Sequence, residues 1–176
     1  METSEVIKER RSVRQYEDRD VEKEKVEKLI EAAIWAPSGG NLQAWDIISV
    51  KGKKADRLTR FSPGIYGKPP VILVICVDTE KFEKKGGDDV VSYMDIAIAA
   101  ENICLQATDI GLGSCMIRSF TKNTVNKILE LPEEKDPELI VTIGYPEESP
   151  NPPKRREIDE VDRKSTRLNS SHRLRS

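Results

Sequence analysis

Three arginines and a serine lie within five residues near the start of the chain, and these side chains together could bind a phosphate. Residues 10–14 read Arg-Arg-Ser-Val-Arg. Guanidinium groups donate charge-assisted, often bidentate hydrogen bonds to phosphate oxygens, and a hydroxyl adds a further donor. Arg10 and Arg14 would share a face if this stretch were helical. A second basic pair, Lys154 and Arg156, follows far along the chain. Each cluster alone is typical of a solvated surface, but the two together predict a ligand that carries a phosphate.

A loop of small and amide-bearing residues follows the arginine cluster. Residues 36–45 read Ala-Pro-Ser-Gly-Gly-Asn-Leu-Gln-Ala-Trp. Ser38 and Asn41 offer donors and acceptors, while Gly39 and Gly40 allow positive φ angles and a close approach of the backbone. The loop is therefore suited to a flat ligand lying against the backbone. The alternative is a turn at the end of a helix that simply requires glycine.

Composition limits the kind of protein that these segments serve. The chain has 176 residues, 37% of them hydrophobic and 34% charged, which is typical of one soluble globular domain. The formal net charge of −2 argues against a nucleic-acid-binding protein. No apolar stretch reaches the roughly 18 residues that a bilayer span needs, and the start lacks the apolar segment of a secretory signal. We therefore expect a cytoplasmic protein with neither a membrane nor a nucleic acid as partner.

The residue types that are scarce indicate where the chemistry resides. The single histidine, His172, lies near the end of the chain, so the domain has no imidazole for general base catalysis or for a metal site. Cys76, Cys104 and Cys115 are odd in number, far apart and set in apolar segments, which predicts reduced, buried thiols. We expect no metal and no catalytic side chain. If the protein is an enzyme, a cofactor carries the chemistry.

Apolar periodicity predicts an α+β fold with a central sheet. The unbroken apolar run at 71–77 is typical of a strand covered on both faces. Residues 88–110 form the longest predicted helix, and its apolar residues extend around several sides, as in a core helix or a subunit interface. Asp20 is expected to cap a helix that Pro37 ends. The remaining predicted elements are an N-terminal helix around Val6, helices at 55–61 and 121–129, and strands at 45–50, 114–117 and 139–144.

The end of the chain differs from the rest in composition. From Arg163 onward the sequence is rich in serine and arginine and has almost nothing to bury, which predicts a disordered, tag-like tail over residues 163–176. A functional nucleic-acid-binding arm is the alternative. Residues 1–162 are then one domain, since no internal boundary is visible.

Four segments resemble the FMN-dependent nitroreductase family in order and spacing. They are residues 10–16, residues 36–45, the alanine-rich helix that leads into Ile-Gly-Leu-Gly-Ser-Cys-Met-Ile at 110–117, and Pro-Pro-Lys-Arg-Arg at 152–156. The resemblance covers about residues 1–162. It implies an α+β fold with a mainly antiparallel central sheet flanked by helices. It also implies an interleaved homodimer with FMN in the interface.

The resemblance assigns roles to particular residues. Those matching the motif at the flavin phosphate and pyrimidine edge are Arg10, Arg11, Ser12 and Arg14, and those matching the loop from the neighbouring subunit are Pro37, Ser38, Gly39 and Asn41. Met116, Ile117 and Arg118 match the segment along the flavin ring near N5, and Lys154 and Arg156 match the pair that completes the phosphate site. Three features depart from the family. Arg118 stands where an acidic residue is common, and the aromatic C-terminal ending is missing after Val161. The loop between Phe61 and Pro70 is shorter than in larger members, and only Lys68 offers a counterpart to the extra flavin contacts of their longer loop.

The activity that the resemblance implies is an NAD(P)H-dependent oxidoreductase. Hydride would pass from the nicotinamide to FMN and then to a nitroaromatic, quinone or similar acceptor in a ping-pong cycle. No protein acid or base is needed for the first transfer, which agrees with the scarcity of histidine. Two alternatives stay open: a phosphate- or nucleotide-binding module without redox turnover, and a flavoenzyme of the same fold with dehalogenase or flavin-fragmenting chemistry.

Overall fold

Within residues 1–84 and 89–162, which the computed structural model describes, four strands form one antiparallel sheet. The strands are β1 (Trp45–Val50), β2 (Val71–Asp78), β3 (Gly113–Ile117) and β4 (Lys135–Gly144). Their order across the sheet is β1-β2-β4-β3, so β3 is an edge strand. Residues 71–77 of β2 are all buried, as expected for an apolar strand covered on both faces. The predicted α+β class with an antiparallel central sheet is confirmed.

Helices lie on both faces of this sheet. They are α1 (Thr3–Glu9), α2 (Lys23–Ile34), α3 (Gly52–Phe61), α4 (Thr79–Glu83), α5 (Asp89–Asp109), α6 (Lys122–Leu129) and the short α7 (Ile158–Val161), with a 3₁₀ turn at Gly39–Asn41. The predicted tail at 163–176, which includes His172, lies outside the described residues.

Alternate side chains of β2 enter two separate hydrophobic cores. Val71, Leu73 and Ile75 pack with α2 and α5, whereas Ile72 and Val74 pack with α3 and α6. This alternation follows from the period of two along a strand. The long helix α5 ends where Gly111 adopts a φ of 76°, a left-handed conformation that glycine takes without strain.

The three thiols are buried, as the sequence predicted. Burial raises the pKa of Cys76 to about 12 and that of Cys104 to about 11. Burial also raises the pKa of Cys115 above its ordinary value. Because the thiolate is the reactive form, these side chains are packing residues at neutral pH and not nucleophiles.

One predicted helix boundary is wrong. Helix α2 begins at Lys23 with Glu22 at the N-cap, so Asp20 lies outside the helix and does not cap it. The same helix ends at Ile34 with Trp35 at the C-cap, two residues before Pro37, which agrees with the predicted stop at this proline.

Strand β4 begins four residues earlier than predicted, at Lys135 instead of residue 139. Pro137 lies where the register between β2 and β4 shifts, opposite Cys76. Proline lacks an N–H, so a β-bulge is one of the few places where a strand accommodates it. Helix α4 was not predicted at all, and Asp78 caps it by accepting a hydrogen bond from the Lys81 backbone amide at 2.9 Å.

A polar cluster joins the start of α2 to the end of β4. The Tyr145 hydroxyl donates a 2.6 Å hydrogen bond to Glu22 and accepts one of 2.8 Å from Lys25. The Arg19 guanidinium lies 3.7 Å from the centre of the Tyr145 ring. The hydrogen bond from Tyr145 lowers the pKa of Glu22 to about 2. The charged form of this carboxylate is therefore favoured in the folded protein.

The depressed pKa of Glu22 predicts a pH-dependent contribution to stability. The pKa of an unfolded glutamate is about 4.3, so the contribution of Glu22 to stability is complete above that pH and is lost as the pH falls towards 2. We expect Glu22→Gln to lower the free energy of unfolding at pH 6 and to have a progressively smaller effect between pH 5 and pH 2.5, measured by urea denaturation. Glu24→Gln, at an exposed glutamate on the same helix, is the control. An effect of Glu22→Gln that is the same at pH 6 and pH 2.5 would contradict the assignment.

Candidate functional site

The arginine segment covers the free edge of β3. Ser12 forms a parallel bridge with Ser114, and the Val13 amide donates a 2.9 Å hydrogen bond to the Ser114 carbonyl. Gly113 makes this approach possible, because a Cβ atom there would lie 2.8 Å from the Val13 side chain. Helix α1 ends at Glu9, so the segment is extended and not helical. Arg10, Ser12 and Arg14 therefore share a side through the period of two along extended backbone, not through helical spacing.

Tyr16 holds the far end of this segment. Its hydroxyl donates to the Val13 carbonyl at 2.7 Å and lies 2.8 Å from Thr142 Oγ1 of β4. Burial raises the pKa of Tyr16, so the phenol stays protonated and available as a donor. The segment is thus attached to both β3 and β4, which gives the arginines a rigid base.

Arg10, Ser12 and Arg14 lie on the segment that follows the edge of β3, close enough to Cys115 to influence its thiol. All three act on the Cys115 thiol: burial raises its pKa, and the two arginines and the Ser12 hydrogen bond oppose that rise. Arg10 Nε lies 3.3 Å from Glu101 on α5, which orients its guanidinium. Arg14 is exposed and donates to the Ser12 carbonyl at 3.2 Å. These three residues therefore lie on one extended segment beside β3 of the same chain.

Arg11 contacts a different part of the fold. Its Nη1 donates to the carbonyls of Lys8 and Arg10, and its buried Nε has no hydrogen-bond partner among the described residues. The side chain borders a cavity of about 260 Å³ at the C-terminal end of α5, beside Gly111 and Leu112. Arg11 was predicted with the phosphate cluster, and its partners in this chain are local backbone carbonyls.

The glycine loop is held by a carboxylate that the sequence analysis did not single out. The Gly39 amide donates to both oxygens of Asp95 on α5, at 3.0 and 3.2 Å, and Asp95 is only 7% exposed. Ser38 Oγ accepts from the Gln43 amide at 3.0 Å. Asn41 has a φ of 53°, so this loop contains left-handed backbone besides its glycines. The sequence signal that could have identified Asp95 is an acidic residue within an otherwise apolar part of the helix.

The glycine loop and the arginine cluster contact different sides of α5. Asp95 binds the loop and Glu101 binds Arg10. At 3.6 residues per turn, side chains six residues apart project about 120° apart around a helix. Pro37 and Asn41 are exposed on the loop. One chain therefore presents two halves of a candidate site on separate sides of one helix.

The three residues predicted to line the flavin ring, at the end of β3, have different surroundings. Met116 packs against the core formed with α2 and α5, whereas Ile117 is buried in the core formed with α3 and α6. Arg118 follows the strand, and its side chain is 55% exposed. Of the three, Met116 and Arg118 keep accessible surface, while Ile117 contributes backbone to the edge of the sheet.

Arg118 belongs to a charged cluster at the end of β3. Its Nη2 donates a 2.8 Å hydrogen bond to Glu138, which is 3% exposed, and Lys122 binds both Glu138 and Asp136. Burial raises the pKa of Glu138, and the hydrogen bond from Lys122 opposes that rise. Burial would lower the pKa of Lys122, but its hydrogen bonds to Asp136 and Glu138 outweigh burial and raise it. Glu138 thus holds the Arg118 guanidinium in place.

Lys154 and Arg156 are the second basic pair of the predicted phosphate site. Both are exposed in the irregular stretch before α7, and neither forms an ion pair with a residue of the described ranges. Both cations are therefore accessible to a ligand. In the part of the chain that the structure describes, no helix has the length and apolar character needed to cross a membrane.

The fold and this set of residues agree with comparisons to known proteins. The model of the Nitroreductase family matches residues 7–64 and 57–145. A protein of Methanothermobacter thermautotrophicus, whose name includes NADH dehydrogenase and NAD(P)H nitroreductase, is 31% identical over 159 residues, which are 85% of this chain and 80% of the relative. The chain belongs to the Nitroreductase family, as the sequence predicted.

Solved structures extend the comparison to the cofactor. An FMN-dependent nitroreductase of Clostridium difficile R20291 is 33% identical, with a TM-score of 0.74 over 89% of this chain and 93% of that one. A structure from Desulfovibrio desulfuricans, described as a complex with FMN, is 25% identical, with a TM-score of 0.82 over 94% of this chain and 97% of that one. The names of the relatives agree with the predicted enzyme class, an NAD(P)H-dependent oxidoreductase.

The hydrogen bonds from the Gly39 amide to Asp95 predict that this carboxylate orders the glycine loop. Asp95→Ala removes the carboxylate that accepts from the exposed Gly39 amide, a loss of about 1 kcal/mol, and we expect faster amide exchange in residues 38–41. Hydrogen–deuterium exchange measured on peptides covering the loop tests this. Asp95→Asn is the matched control, since its amide oxygen remains an acceptor. Equal exchange rates in Asp95→Ala and the unaltered protein would show that the loop is ordered by other contacts.

Proposed function

We propose that this protein is an FMN-dependent NAD(P)H oxidoreductase that reduces a nitroaromatic, quinone or similar small acceptor. The observation that carries the proposal is the placement of Arg10, Ser12 and Arg14 along the edge of β3, in a chain of the Nitroreductase family. FMN would supply the redox centre, taking hydride from NAD(P)H and passing it to the acceptor in a ping-pong cycle. We propose residues 1–162 as one FMN-binding domain.

The donor set suits an anionic, flat cofactor. Two guanidinium groups and the Ser12 hydroxyl are hydrogen-bond donors on one side of an extended segment, and guanidinium groups bind phosphate and carbonyl oxygens well. Arg10 is oriented by Glu101, so less side-chain entropy is lost when it binds. Arg14 is exposed and available to a ligand. Positive charge beside a redox ring also stabilises the negative charge that reduction adds.

We propose that the site is completed by a second copy of this chain in a homodimer. Helix α5 exposes an apolar stripe of Val90, Tyr93, Met94 and Ile98, whose exposed fractions run from 39% to 59%. An exposed apolar patch of this kind marks an association surface. A twofold partner would bring its own glycine loop, and its Lys154 and Arg156, towards these arginines. The separate placement of the two half-sites around α5 supports this arrangement.

We also propose a cytoplasmic location for this enzyme. Three free cysteines and a nicotinamide reductant are typical of the reducing cytosol.

The absorption spectrum of the purified protein tests the cofactor. We expect a yellow protein with a flavin spectrum that bleaches when NADH or NADPH is added without oxygen and recovers when a quinone is added. A colourless protein that does not take up FMN would refute the proposal. Binding without reductant-dependent bleaching would instead favour a nucleotide-binding module.

The arginine cluster predicts which substitutions weaken FMN binding. Arg14→Gln removes a charged donor, and we expect the dissociation constant for FMN to rise by about tenfold or more, measured by quenching of flavin fluorescence. Arg57→Gln, at an exposed arginine on α3, makes the same change in charge away from the cluster and is the control. Equal affinity in Arg14→Gln and Arg57→Gln would place FMN elsewhere.

The stripe on α5 predicts the oligomeric state. Ile98→Glu places a charge in the proposed interface, so we expect a dimer to dissociate into monomers and FMN affinity to fall with it. Light scattering coupled to gel filtration measures the first effect and flavin titration the second. Phe61→Glu is the control, because Phe61 is 56% exposed on α3, across the sheet from α5. A dimer that persists in Ile98→Glu would exclude this stripe as the interface.

A further inference from the structure

Arg118 is an exposed cation held in position by a buried carboxylate. Glu138 is 3% exposed, and its two oxygens bind the Arg118 guanidinium and the Lys122 ammonium. The Arg118 side chain itself is 55% exposed, and its guanidinium lies 5.6 Å from the centre of the Phe120 ring. An arginine has five N–H donors, so donors remain for a ligand. A side chain already ordered by its neighbours loses less entropy on binding than a mobile surface lysine.

Arg118 lies along the same strand as the arginine cluster. Ser12 is paired with Ser114 at the start of β3. Because this bridge is parallel, the arginine segment runs in the same direction as β3, and Arg14 lies level with Met116, two residues or about 7 Å before Arg118. Along this edge the order is therefore Arg10, Arg14 and then Arg118, so a ligand of three fused rings that binds beside Arg14 reaches Arg118.

The loop between α3 and β2 lies close to both the Arg14 backbone and the end of β3. A Cβ atom on Gly64 would lie 2.7 Å from Ile117 Cγ2, so this loop packs directly against the end of β3. A Cβ atom on Gly67 would lie 2.7 Å from the Arg14 carbonyl. The exposed Tyr66 side chain lies between these two contacts in sequence. This loop therefore packs against both the arginine segment and the end of β3 that leads to Arg118.

We propose that Arg118 determines acceptor specificity by favouring acceptors that carry a carboxylate or sulfonate over their neutral analogues. This inference rests on the proposed function. Glu138 is the positioning residue, because it contacts the guanidinium from the buried side and leaves the outward donors to the acceptor. An acidic group on the acceptor replaces water at these donors and gains a charge-assisted hydrogen bond that a neutral amide does not match.

The test compares an anionic and a neutral acceptor of similar shape. With the FMN-loaded protein, kcat/KM is measured for 4-nitrobenzoate and for 4-nitrobenzamide, and their ratio is the readout, since changes in flavin binding cancel from it. The second readout is not catalytic: calorimetric dissociation constants of benzoate and benzamide for the oxidised protein. We expect Arg118→Gln to lower both preferences for the anion by about tenfold, the effect of one charge-assisted hydrogen bond.

Three further variants separate specificity from folding. Arg118→Lys retains the charge and should keep most of the anion preference. The double variant R118Q/E138Q also removes the buried carboxylate, which in Arg118→Gln keeps Lys122 as its one basic partner, and it should lose the preference as fully as the single variant. Arg57→Gln on α3 matches the change in charge and should leave the ratio unchanged.

The outcomes distinguish this inference from the proposed function. A loss of anion preference in Arg118→Gln and the double variant, with Arg57→Gln unaffected, supports it. An unchanged ratio in the double variant, or an equal loss in Arg57→Gln, overturns it while the oxidoreductase activity stands. An unaltered protein that binds no FMN overturns both, whereas one that binds FMN and reduces a quinone but neither nitro compound overturns this inference alone.

Discussion

The edge of strand β3 has to be covered, and the segment that covers it also carries the arginines of the candidate site. Backbone groups at a sheet edge are available to pair with another chain. Here they pair with Ser12 and Val13, and Tyr16 fastens the same segment to β4. Gly113 is essential to the close approach, because a Cβ atom would meet Val13. The same hydrogen bonds therefore cover the edge of β3 and fix the backbone that carries Arg10 and Arg14.

Helix α5 serves both the core and the surface that we propose as a subunit interface. Its buried residues, among them Ala99, Ala100 and Ile103, fill the core against β2 and α2. Tyr93 and Ile98 remain exposed on another side. Asp95 and Glu101 hold the glycine loop and Arg10 from different directions. Exposing an apolar helix surface to water is unfavourable, so a second chain on that side would stabilise the fold. In the homodimer that we propose, the same chain also completes the site.

Within the described residues, the three thiols are placed where they do not react. They are buried and their pKa values are raised, so they stay protonated. What the chain offers at its surface is ordered positive charge: Arg10 beside Glu101, Arg14 beside Ser12, and Arg118 beside Glu138. Ordered surface charge of this kind suits the cofactor binding that we propose, in which a bound flavin would supply the redox chemistry.

Local patterns in the sequence were sufficient for most of the elements. The apolar run at 71–77 predicted a buried strand, and the Gly-Leu-Gly after residue 110 predicted the end of α5. Neighbours in sequence determine these features through propensity, periodicity and turn geometry. The helical spacing considered for Arg10 and Arg14 did not hold, because their segment is extended. Only the tertiary structure decided that Asp95 holds Gly39 from 56 residues away, that Glu138 holds Arg118 across a strand pair, that Arg11 turns towards α5, and that Pro137 sits in a bulge and lets β4 begin early. Those contacts depend on which surfaces the folded chain brings together, and no local pattern encodes that.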